Sequence, residues 1–428
     1  MCSNTLDHDA AGGNKPRVNG AFYRDQDPNV PVPEDGRPHC PDQIVAVEFK
    51  CPDLSLDPFS SKRDSYPEAE ERKSVREQLI KYAEVVFSVQ HRVSVFMFVV
   101  MGRWCRITRW DRSGVVFTTL LDYCEKWELF CSLLWRMSQC SDEQLGRDPT
   151  ATRVYAGDAL YKAMDDAAAP RDSDIDHAER ILGPNELPPD TDFVFRYVRE
   201  MFHNSLSNDA PRYVLEVPDG DTSRQFLVGK PVFVAKGIAG RGTRGFIALD
   251  WKTRDFVWLK DSWQANHAGA DCEGDVLKEL NAAGVPNVPT VICYGDINDQ
   301  KTVTQTAWDL ATEEQSDPVV DLATRTSELP PLRHPNGSIV YTLDLDAHAT
   351  PQHQRASEST SSVQDASASE GRGDASAALR APSNKTCPLR LHRHTRLVVK
   401  EIALPLKEFQ HGKQLLFIVA DCIDGERY

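Results

Sequence analysis

Three glycines spaced G-x-G-x-x-G, Gly240, Gly242 and Gly245, lie in the run GRGTRGFIALDWKTRDFVWLK, which closes on Lys260. The runs on either side of them, FVAKGIA and FIALDW, have strand-like composition, so the glycines are predicted to turn a hairpin. A glycine turn between a strand and a helix would suit a dinucleotide fold; between two strands it suits a lid. Lacking Cβ atoms, such a hairpin lets backbone N–H groups approach phosphate oxygens closely, although the same spacing also marks ordinary hairpins. Lys260 follows Gly245 by fifteen residues at the end of FVWLK, and Glu273 opens the helical run EGDVLKEL thirteen residues later. A strand lysine carries its ammonium toward α/β-phosphates, and a carboxylate on a facing helix keeps it charged in a low-dielectric cleft. Glu279 and Asp271 are alternative partners, and a plain hairpin with a surface lysine is the alternative reading of the whole run.

At 428 residues the chain exceeds what one hydrophobic core organises, so two or three domains are expected. Its 49 basic and 64 acidic side chains leave a net charge of -15, which disfavours an extended nucleic-acid surface but leaves room for a local basic groove. Eleven cysteines are scattered without a C-x-x-C pair, as in a reducing compartment. The sequence has neither a signal-like start nor an apolar run of membrane-spanning length, and neither end carries a lipidation motif. The expectation is an intracellular protein, cytoplasmic or nuclear, with no membrane partner.

Residues 1–40 are polar and rich in Pro, Asp and Gly, and are expected to be mostly unstructured. Residues 41–154 form an α+β unit: a strand over 43–51, a helix over 67–90, a hairpin turning at Gly102, and a helix over 122–140. Residues 155–190 read as a linker or helical connector. A β-rich unit follows over 191–428, with the Ser/Ala-rich segment 348–384 expected to be a disordered insertion. Trp104, Trp110, Phe96 and Phe98 read as core, RWDRSG (109–114) as a turn contacting another domain, and RLHRH (390–394) as a solvated strand edge.

A second chemistry is written near the N-terminus. In PDQIVAVEFK, Asp42, Glu48 and Lys50 share parity and would face one side of a strand. A P-D followed by E-x-K is the pattern of magnesium-dependent nucleases, with carboxylates on the metal and the lysine orienting water. Gln78 and Tyr82, four apart on a helix, match the Q-x-x-x-Y element of some such enzymes. The gap from Asp42 to Glu48 is short for residues normally carried by different strands, and a structural Glu48–Lys50 ion pair is the simpler reading.

Glycine hairpin, strand lysine and helix glutamate in this order form the N-lobe pattern of protein kinases. VWLKDSW, EGDVLKELNAAGVPNVP and HTRLVVKEIALPLKEF resemble the fungal-type protein kinase family, and VEFK, REQLIKYAEVVFSVQHR, RITRWDRSGVVF and LGRDPT resemble the region preceding its kinase domain. The resemblance covers residues 40–154 and 190–426. It implies an α+β chain whose N-terminal domain precedes a protein-kinase-like domain, here mainly the β-rich N-lobe. It also implies ATP and magnesium as cofactors and phosphate transfer to Ser or Thr. Gly240, Gly242 and Gly245 become the phosphate lid, Lys260 the α/β-phosphate contact and Glu273 its partner, with backbone at 400–403 against the base.

The match departs where phosphoryl transfer needs H-R-D-x-x-x-x-N and D-F-G. His392, Arg393 and His394 have His in place of the Asp and precede the hinge; Asp255, Phe256 and Val257 lie upstream of Lys260. GKQLLFIVADCIDGERY resembles the helix leading to a catalytic loop that the 428 residues do not contain. The expectation is a truncated kinase that is inactive, with a non-catalytic scaffold as the alternative. An incomplete lobe is also expected to expose an apolar face and to need a protein partner over it.

Overall fold

Two β-sheets organise the computed structural model, which describes residues 2–3, 19–24, 40–59, 70–176, 194–207, 210–265, 272–307, 341–343, 389–409 and 412–425. The first sheet contains β1 (Cys2–Ser3), β2 (Gly20–Phe22), β3 (Val45–Lys50), β4 (Val95–Met101), β5 (Trp104–Asp111), β6 (Gly114–Phe117) and the short β7 (Leu121–Asp122) beside β5. Between β3 and β4 the chain crosses over as α1 (Glu70–Val89), so these two strands pair in parallel while the rest are antiparallel. Leu79, Ala83, Val86 and Phe87 of α1 recur at helical spacing and pack on Val95, Met97, Val99 and Trp110. On the other sheet face, Val45, Val47 and Phe98 meet Phe130 and Leu134 of α2 (Trp127–Gln139). The result is helix, sheet and helix in three layers.

Within residues 1–40, expected to be mostly unstructured, Gly20–Phe22 pairs with β3. The GAF triplet covers what would be an open strand edge, and Ala21 is fully buried there.

The second sheet holds β8 (Ala151–Val154), β9 (Arg212–Asp219), β10 (Thr222–Val228), β11 (Phe233–Val234), β12 (Arg244–Asp250), β13 (Phe256–Ala265), β14 (Val291–Lys301) and β16 (His392–Val399). Its order is β14-β16-β13-β12-β10-β9-β8, with β11 on β12, while β15 (Tyr341–Leu343) joins the first sheet beside β6. Among the described residues α3 (Ala159–Ala168), α4 (Arg196–Ser205) and α5 (Glu273–Ala282) accompany it, and α6 (Gly412–Gly425) follows β16 in the chain. Strand alternation divides its side chains cleanly. Phe246, Ala248, Val257 and Leu259 form one core with Tyr213, Phe226 and Val398. Ile247, Leu249, Phe256 and Trp258 face the other way and pack with α3, α4 and Ile402.

The boundary between units falls earlier than position 154. β8 pairs with β9, and Met164 and Ala168 of α3 are buried against the second sheet, so 151–168 belongs to that unit and not to a connector. The Ser/Ala-rich segment 348–384 lies outside the described residues.

Candidate functional site

Lys260 sits mid-strand in β13, opposite Gly245 of β12 and Leu397 of β16. Glu273 is the first residue of α5, and its carboxylate forms an ion pair with the Lys260 ammonium. The two side chains are 23% and 43% exposed, so the pair borders solvent. Of the candidate partners it is Glu273 that the lysine meets; Asp271 lies outside the described residues. Asp275 on the same helix accepts a hydrogen bond from the Tyr294 hydroxyl on β14 at 2.5 Å, which holds α5 to the sheet.

The glycines are placed differently from a single phosphate-facing hairpin. Gly245 lies within β12 itself, and a Cβ there would stand 2.3 Å from the Trp258 ring. Gly240 (φ +90°) and Gly242 (φ +46°) turn onto Arg112 of the first unit. The Gly240 N–H donates to the Arg112 carbonyl at 2.8 Å, and a Cβ on Gly242 would meet the Arg112 guanidinium carbon at 2.3 Å. Arg112 in turn donates to the Ile238 carbonyl at 3.1 Å and lies 4.4 Å from the Phe87 ring centre. Ile238 is buried in the core of the first sheet. Gly242 is therefore required by a close approach between units, Gly240 by its left-handed backbone and Gly245 by the Trp258 ring of its own sheet, none of which a reading of one hairpin in isolation contains.

The RWDRSG turn is built for that contact. Asp111, fully buried, accepts from the N–H groups of Ser113 at 2.9 Å and Gly114 at 3.2 Å within its own turn. It also accepts from Val303 at 2.9 Å and Thr304 at 3.1 Å in the second unit. The Ser113 hydroxyl lies 2.6 Å from that of Thr302.

Past β16 the backbone at Lys400 donates to the Thr290 carbonyl at 2.9 Å, and the Glu401 carboxylate accepts from the Thr290 N–H and hydroxyl, each at 2.7 Å. Ile402 is buried among the side chains of α4, and its carbonyl accepts a hydrogen bond from the Tyr197 hydroxyl.

Behind Lys260 lies a cluster that sequence reasoning missed. Asp261, 2% exposed, is ion-paired with Arg244 at 2.5 Å and with His394, and has Arg396 at 3.6 Å and His91 at 3.8 Å. Asp148 holds Arg396 from the other side at 2.5 Å and accepts from Gln300 at 2.7 Å. Burial works to raise the Asp261 carboxyl, but the fields of His394, Arg244 and Arg396 outweigh it and hold it well below the ordinary carboxylate range. Burial, with Arg244 alongside, holds His91 well below the usual imidazole value, in keeping with a ring nitrogen that accepts from Arg244 at 2.8 Å. His392 and His394 are buried in β16, between β13 and β14, rather than on a solvated edge. The available signal was acids and bases at alternate positions inside apolar strands, a pattern that calls for buried partners.

In the first unit, Glu48 and Lys50 form an ion pair at 2.7 Å, Lys50 donates to Gln78 at 2.6 Å, and Gln78 donates to the Tyr82 hydroxyl. Burial raises the Glu48 carboxyl, with Lys50 opposing. Asp42 is not on that strand: it ends a single 3-10 turn, and its carboxylate faces Arg153 at 3.6 Å. Among the described residues no group of three His, Cys, Asp or Glu side chains is placed to hold a metal ion, and no helix is long and apolar enough to cross a membrane.

The family model described as fungal protein kinase matches residues 61–428. No curated protein and no solved structure matches the chain.

Proposed function

Because the chain belongs to the fungal protein kinase family, we propose that its second unit is a nucleotide-binding lobe in which Lys260, held by Glu273, contacts the phosphates of ATP. The observation that carries this reading is the Lys260–Glu273 ion pair, set on a strand between the glycine turn and the strand that leads to residues 400–403. An ammonium that borders solvent and is oriented by a helix carboxylate is suited to a triphosphate. Gly240 and Gly242 then form a wall fixed by Arg112, in place of a mobile lid. The phosphate side of the site fits ATP. For magnesium the described residues offer no matching ligand set, so no step is assigned to it.

Transfer of the phosphoryl group needs a carboxylate near the acceptor hydroxyl and acidic metal ligands. What is proposed for this lobe is therefore ATP binding, with no transfer step assigned to it. The reading is tested by calorimetric titration of ATP with magnesium into the full chain and into Lys260→Ala. A dissociation constant raised at least tenfold in Lys260→Ala is expected; equal affinity in both would sink the assignment.

A scaffolding role is the second reading, favoured by α6, where Leu416 and Phe417 are 72% and 55% exposed. It is distinguished by the same titration, since a pure scaffold shows no ATP binding that depends on Lys260.

A further inference from the structure

The register of the sheet fixes where a base would lie. Lys260 pairs with Leu397 and Trp258 with Val399, so a ligand reaching from the Lys260 ammonium to the backbone at 400–403 runs beneath Trp258. Trp258 is paired across the sheet with Ile247, and these two side chains form the roof of that path.

The path is filled by the protein itself. Ile247 and Trp258 pack in one cluster with Val198 and Phe202 of α4, and Phe202 is fully buried. Tyr197, on the same helix, lies in that cluster and hydrogen-bonds the Ile402 carbonyl, a backbone acceptor of the segment assigned to the base. Thus α4 offers the roof an apolar, aromatic surface and the hinge a hydroxyl donor, the two kinds of contact that a purine ring with an exocyclic amine would make. We propose that α4 is an internal gate that occupies the base position, so that nucleotide binding requires its displacement. This rests on the nucleotide-binding reading above.

The gate has a separate anchor. Arg199 grips Asp174 with two hydrogen bonds at 2.7 and 2.9 Å and donates to the Ala167 carbonyl, tying α4 to α3. The Tyr197 tether to the hinge is removable without touching that anchor. Displacement by a ligand follows population-shift logic: the nucleotide binds only the open state, and weakening the closed state raises apparent affinity by the same factor.

The test uses the full chain and ATP with magnesium, titrated into the wild type, Tyr197→Phe, Lys260→Ala and the double variant. Tyr197→Phe keeps the ring and removes one hydroxyl, so it is expected to fold and to bind ATP about fivefold more tightly, the worth of one hydrogen bond. The double variant should bind more tightly than Lys260→Ala by the same factor, because one substitution acts on the open fraction and the other on the open state's affinity. Hydrogen exchange supplies the second readout: ATP should accelerate exchange of the amides of residues 196–205 in the wild type. Binding that depends on Lys260 but is unchanged by Tyr197→Phe, with exchange of α4 unaltered, would overturn the gate and leave the nucleotide site standing. Absence of binding in every variant would overturn both.

Discussion

Lys260 and Asp261 are neighbours on β13 and look to opposite faces of the sheet. Lys260 has one carboxylate partner and keeps contact with solvent. Asp261 has four cationic or imidazole neighbours, drawn from both units, and almost none. The first arrangement is cheap to break because its charges stay in contact with water. The second is expensive to break because each remaining charge would be stranded in a low-dielectric interior. One strand therefore separates a solvent-bordering ion pair from a buried charge cluster by a single residue, as the period-two alternation of side chains requires.

The contrast is sharpest in stability. Asp261→Ala should cost about 3–5 kcal/mol, the usual penalty for breaking a buried pair, and should destabilise both units together in urea titrations. Loss confined to the second unit would show that the cluster does not join them. A smaller effect, about 1–3 kcal/mol, is expected for Gly242→Ala, where a Cβ must enter the Arg112 guanidinium at a left-handed φ. Combining it with Arg112→Ala should recover the steric part, giving a clear coupling energy in a double-mutant cycle.

Acidification gives a graded effect with a defined sign. The folded value of His91 lies below its unfolded value of about 6.5, so the unfolded chain binds more protons as pH falls through that point. The contribution is complete above about pH 6.5 and lost below it. Asp261 and Asp148, both held low, contribute above about pH 4, and that contribution declines as pH falls further. Urea midpoints should therefore fall from pH 7.5 to pH 5.5 in the wild type, and a flat profile over that range would contradict a buried neutral His91. The smallest stability change, under about 1 kcal/mol, is expected for Lys260→Ala, whose pair is partly exposed. A larger loss would mean that the Lys260–Glu273 pair is structural after all.

Much of this was legible in the order of residues. The strand over Val45–Lys50, the helix over Glu70–Val89 and the Lys260–Glu273 pairing follow from short-range periodicity and a separation of thirteen residues. What escaped were contacts that periodicity does not encode. Gly242 reads as a phosphate glycine until Arg112 is seen against it, and His394 reads as a surface residue until β14 closes over β16. Asp42 has the parity of Glu48, but the chain turns before β3 begins and the shared face is lost. The tyrosine at 197 carried no signal at all, since its partner is a backbone carbonyl 205 residues away.

Ile238 has one more consequence, for the order in which the protein is made. It completes the core of the first sheet, yet it is synthesised long after the strands it packs against, and the carbonyl that Arg112 binds is 126 residues downstream. A nascent chain that has emerged only as far as α2 has a vacancy beside Phe87 and an arginine with no acceptor. Folding on the ribosome is then a process of waiting: the early unit does not mature before the glycine turn leaves the exit tunnel.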